Sequence, residues 1–227
     1  MNHTQNPRTN VSTNVTTNVS TNVHASLRRL LLAASTGAAL LLAGCASEKP
    51  ALNTTFDFGP ATNAAQAARA PIAAVVVGDV TGSAALDSER MYYRLNYSDP
   101  LQARAYANSR WSATPLQMVT QRLKSRIAQS GAKVLSVSDA SDGVPILRLE
   151  IDDFTHNFDS QAQSHGQLVL RASLFQGHKL IDQKTFDRKN PATSMDAGGG
   201  ARALAGATDT VAADVIAWLA TLPLKKE

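Results

Sequence analysis

Cysteine is almost absent from this sequence of 227 residues, because the single one, Cys45, is the only thiol in the chain. A lone thiol excludes an internal disulfide bond and a cysteine-based metal site. Three roles then stay open for Cys45: a buried structural thiol, a reactive nucleophile, or a point of covalent modification. The residues upstream of it favour the third.

The apolar run that precedes Cys45 is too short to cross a membrane. It covers residues 30–44, about 15 residues, whereas a transmembrane helix needs about 20. Arg28 and Arg29 lie directly before it. A basic flank, a short apolar middle and small residues at the end are typical of a secretory signal peptide.

The end of this run, Leu42-Ala43-Gly44-Cys45, resembles the lipobox of bacterial lipoproteins, in which signal peptidase II cleaves before the cysteine. The resemblance implies that Cys45 becomes the acylated N-terminus and anchors the mature chain; no other cofactor is predicted. An ordinary signal peptide with an accidental cysteine is the alternative. Ala46 replaces the aspartate that favours retention in the inner membrane, so we predict the outer membrane, on its periplasmic side.

An excess of charge is also lacking once the signal peptide is set aside. Residues 1–44 hold three of the 22 basic residues and none of the 18 acidic ones, which leaves a net charge of +1 for the remaining chain. A nearly neutral chain gives no electrostatic argument for nucleic-acid binding. We therefore predict no nucleic-acid partner.

Composition divides the chain into three parts. Residues 1–44 combine a polar leader, in which Thr-Asn-Val recurs every four residues and which we expect to be disordered, with the signal peptide. Residues 45–70 are rich in Ala, Thr and Asn and are predicted to form a lipidated, flexible tether, although the alternation of Phe56 and Phe58 indicates a short strand that docks on the domain. Residues 71–227 are predicted to form one domain.

The clearest secondary-structure signal is a helix over residues 115–130. Thr114 and Gln117 form a capping-box pattern around Pro115, and Gly131 ends the helix. The apolar stripe that faces the core contains Leu116, Val119, Leu123 and Ile127, whereas Arg122, Lys124 and Arg126 are predicted to face elsewhere. A second, alanine-rich helix is predicted to begin at Gly198-Gly199-Gly200 and to bury Leu204, Ala207, Val211, Val215, Trp218 and Leu222.

Alternating apolar residues predict a sheet around these helices. Strands are expected at 72–80, 91–97, 102–108, 133–138, 147–158, 168–174 and 180–187. Leu147 and Ile151 have one parity and Phe154 and Phe158 the other, so we predict a β-bulge near residues 152–153. The predicted fold class is α+β: one mostly antiparallel or mixed sheet of about six strands, with two long helices on one face.

No arrangement of polar residues indicates catalysis or metal binding. Asp152 and Asp153 are neighbours on a strand and point to opposite faces, which argues against joint acid–base action. His156 is expected to be a packed or edge residue, whereas His165 and His178 fall in predicted loops, and none has ligand spacing. We therefore predict neither an enzyme nor a metal site.

Tyrosine and arginine are concentrated in one place. All four tyrosines lie in the hairpin predicted over residues 91–108, with arginines and a tryptophan beside them. These residue types dominate protein interfaces because they combine a large apolar area with a polar group. The candidate partner-binding residues are Tyr92, Arg94, Tyr106, Arg110 and Trp111. The alternative is that half of the tyrosines, arginines and tryptophan of this stretch, with Tyr93 and Trp111 among them, fill the core under the first helix. A mixed role is the interpretation that we prefer.

The same stretches resemble the ABC-type transport auxiliary lipoprotein family, whose PqiC-like members serve transport systems built on MCE proteins. The stretches that carry the resemblance are the lipobox, Phe56-Asp57-Phe58-Gly59-Pro60, Met91-Tyr92-Tyr93-Arg94, residues 105–112, the strand 150–158 and the closing helix with Trp218. Arg94, Tyr106 and Trp111 are the positions that match the family within the hairpin.

The resemblance implies a non-enzymatic component that docks a periplasmic MCE conduit for lipids to the outer membrane. Its implied partners are an MCE-domain protein of an ABC transporter and the outer membrane itself. The oligomeric state stays open, and a homo-oligomer is one option. Two other functions also stay open: a stand-alone lipid-binding lipoprotein, and a periplasmic scaffold or activator of envelope assembly.

Overall fold

The computed structural model describes residues 53–61, 72–139 and 142–223. The leader, the signal peptide, the lipobox with Cys45, and much of the predicted tether lie outside the described residues. The described part of the tether, residues 53–61, contacts the domain, and we call this segment the strap. None of the helices within the described ranges is both long and apolar enough to cross a membrane.

Nine strands of the described chain form one mixed sheet. They are β1 (Thr54–Phe56), β2 (Ala74–Val77), β3 (Thr81–Gly82), β4 (Arg90–Leu95), β5 (Asp99–Trp111), β6 (Lys133–Leu135), β7 (Ile146–Phe158), β8 (Ser164–Gln176) and β9 (Lys179–Pro191). The predicted α+β class and mixed sheet are confirmed, but the predicted number of about six strands is too low. A strand of two residues, such as β3, is too short to show a period in the sequence.

Strand β7 lies at the centre of the sheet. On one side it pairs in parallel with β2, β3 and β4 in succession, from Ile146 to Phe158. On its other side it pairs along its whole length with β8, which pairs with β9 in turn. The register between β7 and β8 shifts between Ile151 and Asp153, which confirms the predicted bulge.

Both helices, α1 (Pro115–Gln129) and α2 (Ala197–Leu219), cover the same face of the sheet. On β7, Leu147, Leu149 and Ile151 are buried in the core shared with the helices, whereas Arg148 and Glu150 on the opposite face are exposed. The capping box at Thr114 is present, and Gly131 has the positive φ of 97° expected after a helix end. The predicted first helix is thus confirmed to within one residue.

Arg122 and Arg126, predicted to face away from the apolar stripe of α1, are both buried. One detail of the sequence-based description is wrong. His165 lies within β8 and not in a loop, because β8 begins several residues before its first apolar residue, Leu168.

Candidate partner-binding site

The candidate site is the hairpin formed by β4 and β5, and β5 is much the longer strand. Arg90 pairs with Arg110 and Tyr92 with Ala105, so β5 gains three residues there. It gains three more between the pairs Arg94–Ala103 and Leu95–Asp99. Such bulges redirect side chains and end regular pairing.

The two faces of the hairpin have different roles. Met91 is buried in the core, and Tyr93 on the same face contacts the ring of Tyr106 at a centroid distance of 4.6 Å. Arg90, Tyr92 and Arg94 alternate with these residues and therefore lie on the opposite face, which carries no helix. We call Arg90, Tyr92, Arg94 and Arg110 the outer hairpin face.

Arg90 and Arg110 oppose each other directly across the two strands, and both are exposed. Within the described residues, neither makes an ion pair with an acidic side chain. Like charges in directly opposed positions destabilise a sheet. The sheet therefore gains no stability from this pair.

Arg94 is committed to an intramolecular contact. Its Nη1 donates to both carboxylate oxygens of Asp153, at 2.9 and 3.1 Å, and to Thr155 Oγ1 at 3.0 Å. The ion pair joins β4 to β7 on the face that carries no helix. Any contact of Arg94 with a partner would thus add to this ion pair or replace it.

Trp111 is a core residue, and its assignment as a partner-binding residue is wrong for the folded domain. Its side chain is 1% exposed and contacts the rings of Phe58 and Phe154. Phe58 belongs to the strap, and β1 pairs with the end of β5 through Thr54–Ser109 and Phe56–Trp111. The predicted docking of Phe56 and Phe58 is thus confirmed, and Trp111 is the residue on which Phe58 packs.

Tyr106 is half-buried and begins a chain of hydrogen bonds. Its hydroxyl lies 2.7 Å from Nδ1 of His156, whose Nε2 lies 2.9 Å from Ser164 Oγ. Ser164 in turn donates to Sδ of Met195 at 3.2 Å. Because Ser164 uses its proton on Met195, it accepts the Nε2 proton of His156, and Nδ1 accepts from Tyr106.

Burial favours the neutral forms of His156 and Tyr106 in this chain of hydrogen bonds. It lowers the pKa of His156 to about 4, with His165 adding repulsion and Asp196 opposing the shift. It also raises the pKa of Tyr106, helped by Tyr93 and Asp196. A neutral imidazole between two hydroxyls is a structural connection between β5, β7 and β8, and its low pKa makes it a weak general base at neutral pH.

The low pKa of His156 predicts a pH dependence of stability. Between pH 6.5 and pH 4 the unfolded chain binds a proton at this position and the folded chain does not, so the free energy of unfolding falls as the pH falls. From pH 7.5 to pH 5 we expect a loss of about 2 kcal/mol from this residue. Denaturant unfolding of wild type and His156→Gln at both pH values isolates it, and an NMR titration of the imidazole checks the pKa itself. An equal pH dependence in both proteins would contradict the assignment.

A second charged cluster escaped the sequence analysis. Asp209 of α2 accepts from Nε of Arg126 at 2.8 Å and lies 3.5 Å from Nε of Arg122. Arg122 also donates to the carbonyl oxygens of Phe58 and Gly59 in the strap. The hydrogen bond to Asp209 raises the pKa of Arg126, against the effect of burial. This cluster joins α1, α2 and the strap; the i, i+4 spacing of the two arginines was its one sign in the sequence.

Other candidate chemistry is limited in the described part of the chain. No group of three or more His, Cys, Asp or Glu side chains there is arranged to hold a metal ion. The glycine run 198–200 lies in the first turn of α2, where the Asp196 carboxylate accepts from Gly199 N–H at 2.7 Å, so the helix N-terminus is already capped. That hydrogen bond, with one from Ser194, lowers the pKa of Asp196.

Comparison with known proteins identifies the family of this chain. The family described as ABC-type transport auxiliary lipoprotein component matches residues 55–216, and the chain belongs to this family. No curated protein matches the chain at a significant level.

Solved structures support the fold alone. Protein XCC0632 from Xanthomonas campestris is 20% identical, with a TM-score of 0.59 over 73% of this chain and 90% of that one. An uncharacterized protein is 14% identical, also with a TM-score of 0.59, over 74% of this chain and 99% of that one. At these identities the likeness carries no residue role from those proteins to this one.

Proposed function

We propose that this protein is the lipid-anchored outer-membrane component of an MCE-type ABC transport system for lipids. In this proposal Cys45 carries the acyl anchor, and the domain docks the periplasmic end of the MCE conduit to the outer membrane. Membership of the auxiliary lipoprotein family is the observation that supports it most. The lipobox sequence supports the anchor, and Ala46 after the cysteine supports the outer membrane.

The outer hairpin face is the surface that we propose for docking. It lies on the face of the sheet without helices, and it presents an exposed arginine pair without an acidic partner among the described residues. Tyr92 lies between Arg90 and Arg94 and adds apolar area with a hydroxyl. A partner that fits this surface carries acidic side chains opposite the arginines.

Charge reversal tests the docking surface. Arg90→Glu combined with Arg110→Glu is expected to weaken binding of the MCE protein by about tenfold or more, because two attractive contacts become repulsive. Stability is expected to be retained, since both side chains are exposed. The measurement is a mild-detergent pull-down of the tagged, lipidated protein from its own membranes, with quantitative mass spectrometry of the enriched proteins.

The matched control is Lys133→Glu combined with Lys179→Glu, the same change of charge at exposed positions on β6 and β9. Equal losses in both double variants would assign the effect to net charge and not to this surface. Enrichment of cell-wall enzymes, with no MCE protein, would contradict the proposed function and favour the envelope-scaffold alternative.

The groove beside α1 does not favour the stand-alone lipid-binding alternative. It has a volume of about 1040 Å³ and lies between the strap and α1. Its lining includes Asp57, Asp79, Asp87, Arg122 and Lys124. An acyl chain is bound in a mainly apolar cavity, and this charged lining does not provide one.

A further inference from the structure

The tip of the β4–β5 hairpin, residues 96–102, exposes apolar side chains. Leu101 is 93% exposed and Tyr97 is 48% exposed. Leu101 lies among the three extra residues of β5 between the pairs Arg94–Ala103 and Leu95–Asp99, so the bulge directs it away from the domain. Its N–H donates to Asp99 Oδ1 at 2.9 Å, and Ser98 N–H donates to Leu95 O, which defines the turn.

A third exposed apolar side chain, Met195, lies at the same end of the sheet. Leu95 pairs with Phe158, Phe158 pairs with Ser164, and the hydroxyl of Ser164 donates to Met195. The other exposed large apolar residues of the described chain, Val137 and Leu180, lie near the opposite end of β7. Single exposed apolar residues are normal, but three at one end form a candidate contact surface.

The direction of β1 shows which way the chain points where the described residues begin. β1 is parallel to β5, and β5 begins at the hairpin tip, so the N-terminal end of β1 points towards that tip. The described chain begins at Asn53, eight residues after Cys45. Eight residues span at most about 28 Å.

This length limits how far the domain can stand from its anchor. From Ser109, which pairs with Thr54, to Leu101 is also eight residues along β5, at most about 26 Å. In the orientation that directs the hairpin at the bilayer holding an acylated Cys45, the surface clears the hairpin tip only if the link is stretched almost fully along the hairpin. In that orientation any shorter link brings the tip to the lipid.

We propose that the hairpin tip is a second, non-covalent contact with the phospholipid surface. This proposal rests on the acylation of Cys45 in the proposed function. Leu101 enters the boundary between headgroups and acyl chains, and Tyr97 lies at headgroup level, the depth that tyrosine prefers. The contact fixes the tilt of the domain on the membrane and thereby directs the outer hairpin face.

The test uses the full acylated chain in vesicles of phosphatidylethanolamine and phosphatidylglycerol. Because the acyl group occupies the thiol of Cys45, Gln102→Cys introduces the one reactive thiol, which carries an environment-sensitive fluorophore beside an intact Leu101. Lipids with nitroxides at known depths quench the fluorophore according to its depth. We expect it at about 5–10 Å below the headgroup surface, and we expect Leu101→Asp in the same protein to move it into water.

The matched control places the label at Lys179→Cys, with and without Leu180→Asp, near the opposite end of β7. That label is expected to stay in water in both proteins. A label at position 102 that stays in water while the protein floats with the vesicles would overturn the proposal and leave the anchor intact. A protein that neither floats nor shows acylated Cys45 by mass spectrometry would overturn the anchor and, with it, this contact. Loss of the MCE protein in the pull-down, with the label at position 102 still below the headgroup surface, would contradict the docking function and support this contact.

Discussion

Gly166→Ala is expected to lower the free energy of unfolding by about 3 kcal/mol, at the upper end of the range for overpacked cores. Gly166 lies on β8 opposite His156, where α2 crosses the sheet. A Cβ at this position would lie 2.6 Å from the backbone nitrogen of Leu204 and 2.7 Å from the carbonyl carbon of Ala203. These are helix backbone atoms, so relief requires the whole of α2 to shift.

Thermal and denaturant unfolding measure this loss, which for a domain of this size corresponds to about 6–12 °C in Tm. Gly78→Ala is the matched control, because a Cβ there meets Leu147 O at 3.5 Å, an ordinary contact. We expect that variant to stay within about 0.5 kcal/mol of wild type. Equal losses in the two variants would show that α2 does not depend on close approach at Gly166.

The close approach of α2 to the sheet at Gly166 also affects the candidate site. Gly200, in the first turn of α2, also has no room for a side chain, because a Cβ there would overlap Nδ1 of His156. The glycines therefore let α2 lie directly on the imidazole that holds Tyr106. A shift of α2 in Gly166→Ala should accordingly raise the exposure of His156 and bring its pKa back towards 6.5.

Features that depend on neighbouring residues could be predicted from the sequence. The capping box at Thr114 and the turn at Gly131 are local, because their hydrogen bonds close within a few residues. The bulge in β7 was visible as a change of parity between Ile151 and Phe154, since the core covers only one face of that strand. The hairpin predicted over residues 91–108 is present as β4 and β5, and its role in partner binding stays a prediction.

Features that depend on residues distant in the sequence could not be predicted from it. The burial of Arg122 and Arg126 could not be predicted, because the Asp209 carboxylate that pairs with them lies on the other helix. Trp111 could not be assigned to the core alone, because the rings that it contacts, those of Phe58 and Phe154, are both distant in the sequence. The opposed position of Arg90 and Arg110 became apparent only with the register of β5, which its two bulges shift.

Asp209→Asn is the second large effect expected, a loss of about 2–3 kcal/mol. Breaking a buried ion pair costs about 3–5 kcal/mol because the remaining charge is left without its counter-charge. Solvent screening reduces this value here, since the Asp209 side chain is 32% exposed although those of Arg122 and Arg126 are only 5% and 9% exposed. The amide keeps the size of the carboxylate, so the change is chiefly one of charge.

Asp214→Asn, on the same helix, provides the control. Asp214 pairs with Arg188 at 2.6 Å, but Arg188 is 45% exposed, so we expect a loss of at most about 1 kcal/mol. Hydrogen exchange at the Ser112 amide, which donates to Phe56 O, reports whether the strap stays docked. Because Arg122 holds both Asp209 and the strap carbonyls, we expect faster exchange at Ser112 in Asp209→Asn and no change in Asp214→Asn. Unchanged exchange in both would mean that the strap stays docked without the ion pair between Asp209 and Arg122.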